Sequence, residues 1–284
     1  MNELILHEIA ADRKIDRWND LIEKGKKNFA TSLPFPFIIM DNFLDGDMAS
    51  EAARDFPAAN EKTWTNYIHV NEKKYGLNKK ENIPASLLKI ISDLQGNDFL
   101  EKLSGITGMT SLIADEQLAG GGLHQTQPGG FLNIHSDFLI HPTKANLMRR
   151  INLILFLSPD WKEDYGGELQ FWNKDMTECV VRIQPKFNRC VIFRTDEDAF
   201  HGCPDKLGGP PGFSRKSLAL YYYSEFSTPP AKQYTDYQAR PEDGHKRLAI
   251  FLDNKAIALY SWIKQKFKLN DDFISRVLRI IKWR

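Results

Sequence analysis

A chain of 284 residues with 42% hydrophobic and 26% charged residues has the composition of a folded globular protein, not of a disordered or membrane-spanning one. Net charge is +1, and residues 246–284 hold ten Lys and Arg against three Asp, so the first 245 residues are net acidic and present no general nucleic-acid surface. The N-terminus carries no apolar run of signal-peptide length, no stretch reaches the roughly 18 apolar residues of a spanning helix, and Cys179, Cys190 and Cys203 lack metal-ligand spacing and read as free thiols. These features predict a cytoplasmic protein.

Along the chain, Leu33–Met40 reads as a strand entered through prolines, Asp45–Asp55 as a short helix, and Pro84–Leu94 as an amphipathic helix with a third near Asp98–Leu103. Residues 1–110 are therefore expected to support a core that follows. From Ser111 the texture changes to short alternating runs at 122–127, 131–138, 151–157, 167–172, 180–184, 189–194 and 217–223, punctuated by Gly, Pro and Asn. That pattern predicts a mainly β protein with flanking helices, its core a jelly roll over 111–226. Residues 227–284 read as a proline-bearing linker followed by basic amphipathic helices.

In Phe131-Leu132-Asn133-Ile134-His135-Ser136-Asp137, strand alternation puts Phe131, Asn133, His135 and Asp137 on one face. His201 arrives after the apolar run Cys190–Phe193 and an acidic turn. Two imidazoles and one carboxylate make the facial triad that binds non-haem Fe(II) and leaves three positions open. Arg215 and Ser217 share a strand face further on, where a guanidinium fork and a hydroxyl can hold a carboxylate.

These residues resemble the 2-oxoglutarate/Fe(II) oxygenases of the prolyl 4-hydroxylase type, including the oxygen-sensing prolyl hydroxylases, over about 119–226. The likeness runs through Gly129-Gly130-Phe131, Phe156-Leu157-Ser158-Pro159-Asp160-Trp161, Gly166-Gly167-Glu168-Leu169, Pro185–Arg189 and His201. It implies a double-stranded β-helix, Fe(II) on His135, Asp137 and His201, and 2-oxoglutarate with its distal carboxylate on Arg215, O₂ as co-substrate and ascorbate as a supporting reductant. Phe156 stands where the oxygen sensors carry a tyrosine on that carboxylate, so Asn152 or Ser217 is expected to supply the missing polar group. Family members commonly place a lid ahead of the core, here the stretch with Trp64, Tyr67, Lys73, Lys74, Tyr75, Lys79 and Lys80.

His124, Gln125, Asn133, Arg149 and Arg150 are candidate substrate contacts. In Phe273–Arg284 apolar and cationic residues segregate on a helix, which fits an anionic membrane surface as well as packing on the barrel or on a second subunit; the oligomeric state stays open. The basic loops and tail favour hydroxylation of a small-molecule or carbohydrate/lipid-linked substrate, such as an anionic Kdo sugar, at the inner face of the membrane. A peptidyl prolyl substrate is the alternative, and a non-catalytic adaptor that binds iron or 2-oxoglutarate is the third.

Overall fold

The computed structural model describes residues 25–267 apart from 27, 60–61, 229 and 231–233. Within them a 13-stranded antiparallel sheet curls into the expected double-stranded β-helix with helices on one face. Its strands are β1 (Phe37–Met40), β2 (Thr65–His69), β3 (Glu72–Leu77), β4 (Ile113–Ala114), β5 (Gly122–Thr126), β6 (Phe131–Ser136) and β7 (Leu147–Phe156). They continue with β8 (Leu169–Trp172), β9 (Cys179–Ile183), β10 (Cys190–Arg194), β11 (His201–Cys203), β12 (Arg215–Glu225) and β13 (Asp236–Tyr237). The main path runs β1-β10-β7-β12-β5-β3-β6-β11-β8-β9. The sheet thus recruits β1, β2 and β3 from before residue 111 and β13 from after 226.

The helices are α1 (Gly46–Asp55), α2 (Ala85–Gln95), α3 (Asn97–Thr107) and α4 (Lys246–Phe267). Asp45 caps α1 by accepting from the Asp47 amide at 3.1 Å. In α2 the buried Leu87, Ile90, Ile91 and Leu94 fall at helical spacing and form the stripe that packs on the sheet. Period-two alternation supplies the other half of that core: Ile151, Leu153 and Leu155 of β7 and Leu218, Leu220 and Tyr222 of β12 join the helix-side cluster. The intervening residues Asn152, Ile154, Phe156, Ser217, Ala219 and Tyr221 turn inward to line a cavity.

Two β-bulges break the alternation where the cavity is built. On β11 His201 lies opposite His135, yet Cys203, two residues on, lies opposite Leu132, three residues back. The extra residue in β6 brings Leu132 to the cavity and turns Asn133 away. Gly202 sits against this bulge, where a Cβ would lie 2.7 Å from the Asn133 carbonyl oxygen and 2.8 Å from that of Leu132. On β7 Tyr222 lies opposite Ile151 but Tyr223 opposite Arg149, so Arg150 is the extra residue and Arg149 swings onto the cavity face.

Candidate active site

His135 and Asp137 leave the end of β6 and His201 opens the neighbouring β11, so strand pairing alone brings the three together. All three are buried, and one ligand atom from each lies within 4.8 Å of the others. Asp137 Oδ1 stands 3.6 Å from His135 Nε2, and Oδ2 3.4 Å from His201 Nε2. Each imidazole places Nδ1 at 2.9 Å from the carbonyl two residues back, that of Asn133 or Ala199. A carbonyl only accepts, so Nδ1 carries the hydrogen and the Nε2 lone pair faces the cluster. Burial pushes His201 down to about 4, which keeps it neutral.

Asp137 is organised from behind. Asn152 Nδ2 donates to Oδ2 at 2.7 Å, Arg149 Nη2 approaches the same oxygen at 3.1 Å, and Arg149 Nε donates to Asn152 Oδ1 at 2.7 Å. Thr195 Oγ1 adds a second donor to Asn152 Oδ1 at 3.2 Å. The Arg149 guanidinium lies 3.3 Å over the Tyr221 ring and 4.9 Å from Phe138. Burial alone would raise the Asp137 carboxyl, but Arg149 beside it, with His201 and His135, holds it well below the usual carboxylate range. An ionised carboxylate and neutral imidazoles are the state in which these groups bind a divalent cation, so the donor set fits Fe(II).

The triad lines a cavity of about 260 Å³ with Arg215, Ser217, Phe156, Ile154, Leu169 and His124 among its walls. Arg215 Nη1 donates to the Gly167 carbonyl at 2.6 Å, and its buried Nε has no partner among the described residues. The Gly166 carbonyl accepts from Trp161 Nε1 at 2.9 Å, so the Trp161 and Gly166-Gly167 motifs together set the seat of this guanidinium. An unpartnered buried donor that shares the cavity wall with Ser217 fits a carboxylate such as the distal one of 2-oxoglutarate.

Other sequence expectations fare differently. Asn152, foreseen as a polar group for the cosubstrate, lines the cavity but spends its amide on Asp137, Arg149 and Thr195. His124 does line the cavity, its Nε2 without a partner among the described residues, and burial drives it down to about 3, hence neutral. Gln125 points the other way and donates to the Pro57 carbonyl at 3.3 Å. Asn133 is committed to Asn71, Nδ2 to Oδ1 at 3.0 Å, and Arg150 Nε to Ser224 Oγ at 2.8 Å; none of these three borders the cavity. In the expected lid, Tyr67 and Lys74 reach the cavity, whereas Trp64 is buried against Phe56, ring centroids 6.1 Å apart.

Sequence reasoning missed Tyr221, Glu72, Thr235 and Tyr237, all on the cavity wall. Tyr221 was within reach of it, since it shares strand parity with Arg215 and Ser217.

Among known proteins, the family model described as the 2OG-Fe(II) oxygenase superfamily matches residues 121–223. That segment, which holds the buried His-x-Asp…His triad, is similar to that superfamily. It is 26% identical over 199 residues to prolyl 3-hydroxylase OGFOD1 of Xenopus laevis, which covers 68% of this chain and 35% of that protein. Over 86 residues it is 31% identical to the protein of the same name from Mus musculus, covering 29% and 15%. The chain thus spans about a third or less of the length of the curated relatives it matches.

Solved structures share the fold. A Trichoplax adhaerens prolyl hydroxylase in complex with a hypoxia inducible factor oxygen degradation domain peptide fragment superposes with a TM-score of 0.54 at 17% identity, covering 75% of this chain and 94% of that one. A Pseudomonas putida prolyl-4-hydroxylase gives 0.53 at 15%, covering 72% and 100%.

Proposed function

We propose that this chain is an Fe(II)- and 2-oxoglutarate-dependent hydroxylase whose substrate is a prolyl residue in a peptide or protein. The observation that carries the reaction class is the buried His135, Asp137 and His201 cluster sharing one cavity with Arg215, whose buried Nε has no partner among the described residues. When bound, Fe(II) with 2-oxoglutarate and O₂ supplies oxidative decarboxylation to succinate and CO₂ coupled to insertion of one oxygen atom into a C–H bond. His135 and His201 present Nε2 because their Nδ1 hydrogens are spent on the chain. Asn152 and Arg149 fix the plane of the Asp137 carboxylate. Arg215 and Ser217 hold the distal carboxylate, and Phe156, Ile154 and Leu169 keep water from that end.

The curated relatives are prolyl hydroxylases by name, which moves the balance from a small-molecule or carbohydrate/lipid-linked substrate to the peptidyl alternative. The basic segment Phe273–Arg284, on which a membrane surface rested, lies outside the described residues. Among those residues no helix is long and apolar enough to cross a membrane. An intact triad with its positioning groups disfavours an idle adaptor, which has no chemical need of them.

Succinate formation by the full chain with Fe(II), 2-oxoglutarate, ascorbate, air and a panel of proline-containing peptides tests the reading. At least one peptide should raise turnover and emerge one oxygen atom heavier on a prolyl residue. Turnover that is raised only by a sugar or small molecule overturns the peptidyl substrate, and no succinate under any condition overturns the reaction class.

A further inference from the structure

The family match ends at residue 223, yet the cavity wall includes Thr235 and Tyr237. Strand β13 adds itself to the triad strand with Tyr237 opposite His135, and the two rings stand 5.4 Å apart. The β2–β3 hairpin also pairs along β6, with Glu72 opposite Leu132, and this hairpin brings Tyr67, Glu72 and Lys74 to the cavity.

Two consecutive side chains of α4 grip both walls. Asn254 Oδ1 accepts from the Tyr237 amide at 2.9 Å, and its Nδ2 donates to the Tyr237 carbonyl at 2.5 Å and to Asp236 Oδ1 at 2.7 Å. Asp253 Oδ2 accepts from Asn71 Nδ2 in the hairpin turn at 2.5 Å and lies 3.8 Å from His69 Nδ1. Asn71, itself fully buried, takes Asn133 Nδ2 of the triad strand at 3.0 Å on its other side. Of the described α4 side chains only Ile250 is buried, while Leu248, Phe251 and Leu252 are exposed, so apolar packing does little to seat this end of the helix.

We infer that Asp253 and Asn254 form a latch that sets the mouth of the active site, with Tyr237, held by Asn254, as a substrate-positioning wall. The Tyr237 part rests on the peptidyl reading above; the latch does not. Thr235 and Tyr237, which fall in a stretch that reads as a linker in sequence, are then working parts of the site.

The test uses the full chain loaded with Fe(II), comparing Asp253→Ala and Asn254→Ala. Amide exchange is expected to rise about tenfold at 69–72 in Asp253→Ala and at 234–238 in Asn254→Ala, with β6 and uncoupled 2-oxoglutarate conversion within about twofold of the parent. Capture of the iron by ferrozine should quicken by about fivefold or more in both, as the mouth loosens. The KM of whichever peptide raised turnover should grow about fivefold with kcat within about twofold.

Unaltered exchange and ferrozine capture in both variants overturn the latch. Faster exchange with unaltered peptide KM overturns the positioning role of Tyr237. If no peptide is turned over, the peptidyl reading fails by itself, and exchange with ferrozine capture still decides the latch.

Discussion

Asp137 meets two demands through two oxygens: Oδ2 takes Asn152 Nδ2 at 2.7 Å and Arg149 Nη2 at 3.1 Å, while Oδ1 faces His135 Nε2 at 3.6 Å. Asn152→Ala removes the neutral half of that clamp and frees the carboxylate to rotate. Mn(II) affinity, followed by titration, should fall about 10- to 100-fold while the fold persists. An unaltered affinity would show that Arg149 alone fixes the carboxylate. Arg215→Ala should act differently, because it loses the charged donor but no metal ligand. The KM for 2-oxoglutarate should rise by the equivalent of about 1.5–3 kcal/mol, roughly 10- to 100-fold, with Mn(II) affinity unchanged. The triad and the place of Arg215 on the cavity wall were legible because each rests on residue type and strand parity over a few positions. Of the candidate substrate contacts, Arg149 borders the cavity, whereas Asn133 and Arg150 do not, because at each a bulge adds one residue and inverts parity, and nothing in the local sequence marks where.

At the scale of elements, the pairing of β6 with β11 depends on Gly202. Its absent Cβ leaves room for two carbonyl oxygens of the bulge, which would otherwise lie 2.7 and 2.8 Å away. Both obstacles are backbone, so Gly202→Ala must push β11 from β6, and His201 from His135 with it. We expect a loss of about 1–3 kcal/mol in thermal unfolding together with weakened Mn(II) binding. Gly46→Ala is the contrasting case, since a Cβ in the first turn of α1 meets nothing within 4 Å and the helix gains from the stiffer residue. It should stabilise by about 0.4–1 kcal/mol without touching the metal site. The helix stripe and the seven strand runs from Gly122 to Tyr223 were legible from periodicity. The hairpin β2–β3 and the two-residue β13 were not, because their place at the mouth comes from pairing with β5 and β6 rather than from their own pattern.

Over the whole molecule, the mouth is closed by charges whose pairing depends on pH. Glu72 binds His69 Nε2 at 2.9 Å and Lys74 Nζ at 3.1 Å; Asp253 faces His69 from α4, and Tyr237 stacks on its edge at 5.9 Å. Burial would raise Glu72, yet its hydrogen bond to His69 and the Lys74 charge bring it from 4.5 down to about 2. A depressed carboxyl contributes stability above its unfolded value near 4.5, and that contribution is lost as pH falls through about 2. His69 moves the other way, raised above 6.5 chiefly by its hydrogen bond to Glu72 and against partial burial. Its contribution is present below 6.5 and is lost as pH rises through the elevated folded value; the ring is about a third exposed, so solvent screens much of it. The two windows overlap between 4.5 and 6.5, where the pair stabilises most. Glu72→Gln removes both halves. In denaturant unfolding, the stability gap between parent and variant should be widest in that window, on the order of 3 kcal/mol at most. It should narrow towards pH 2 as Glu72 protonates, and narrow more gently above 6.5 as His69 deprotonates. A gap that stays constant from acid to neutral pH would mean that Glu72 stabilises the hairpin by packing alone, and that the charges at the mouth leave its closure untouched.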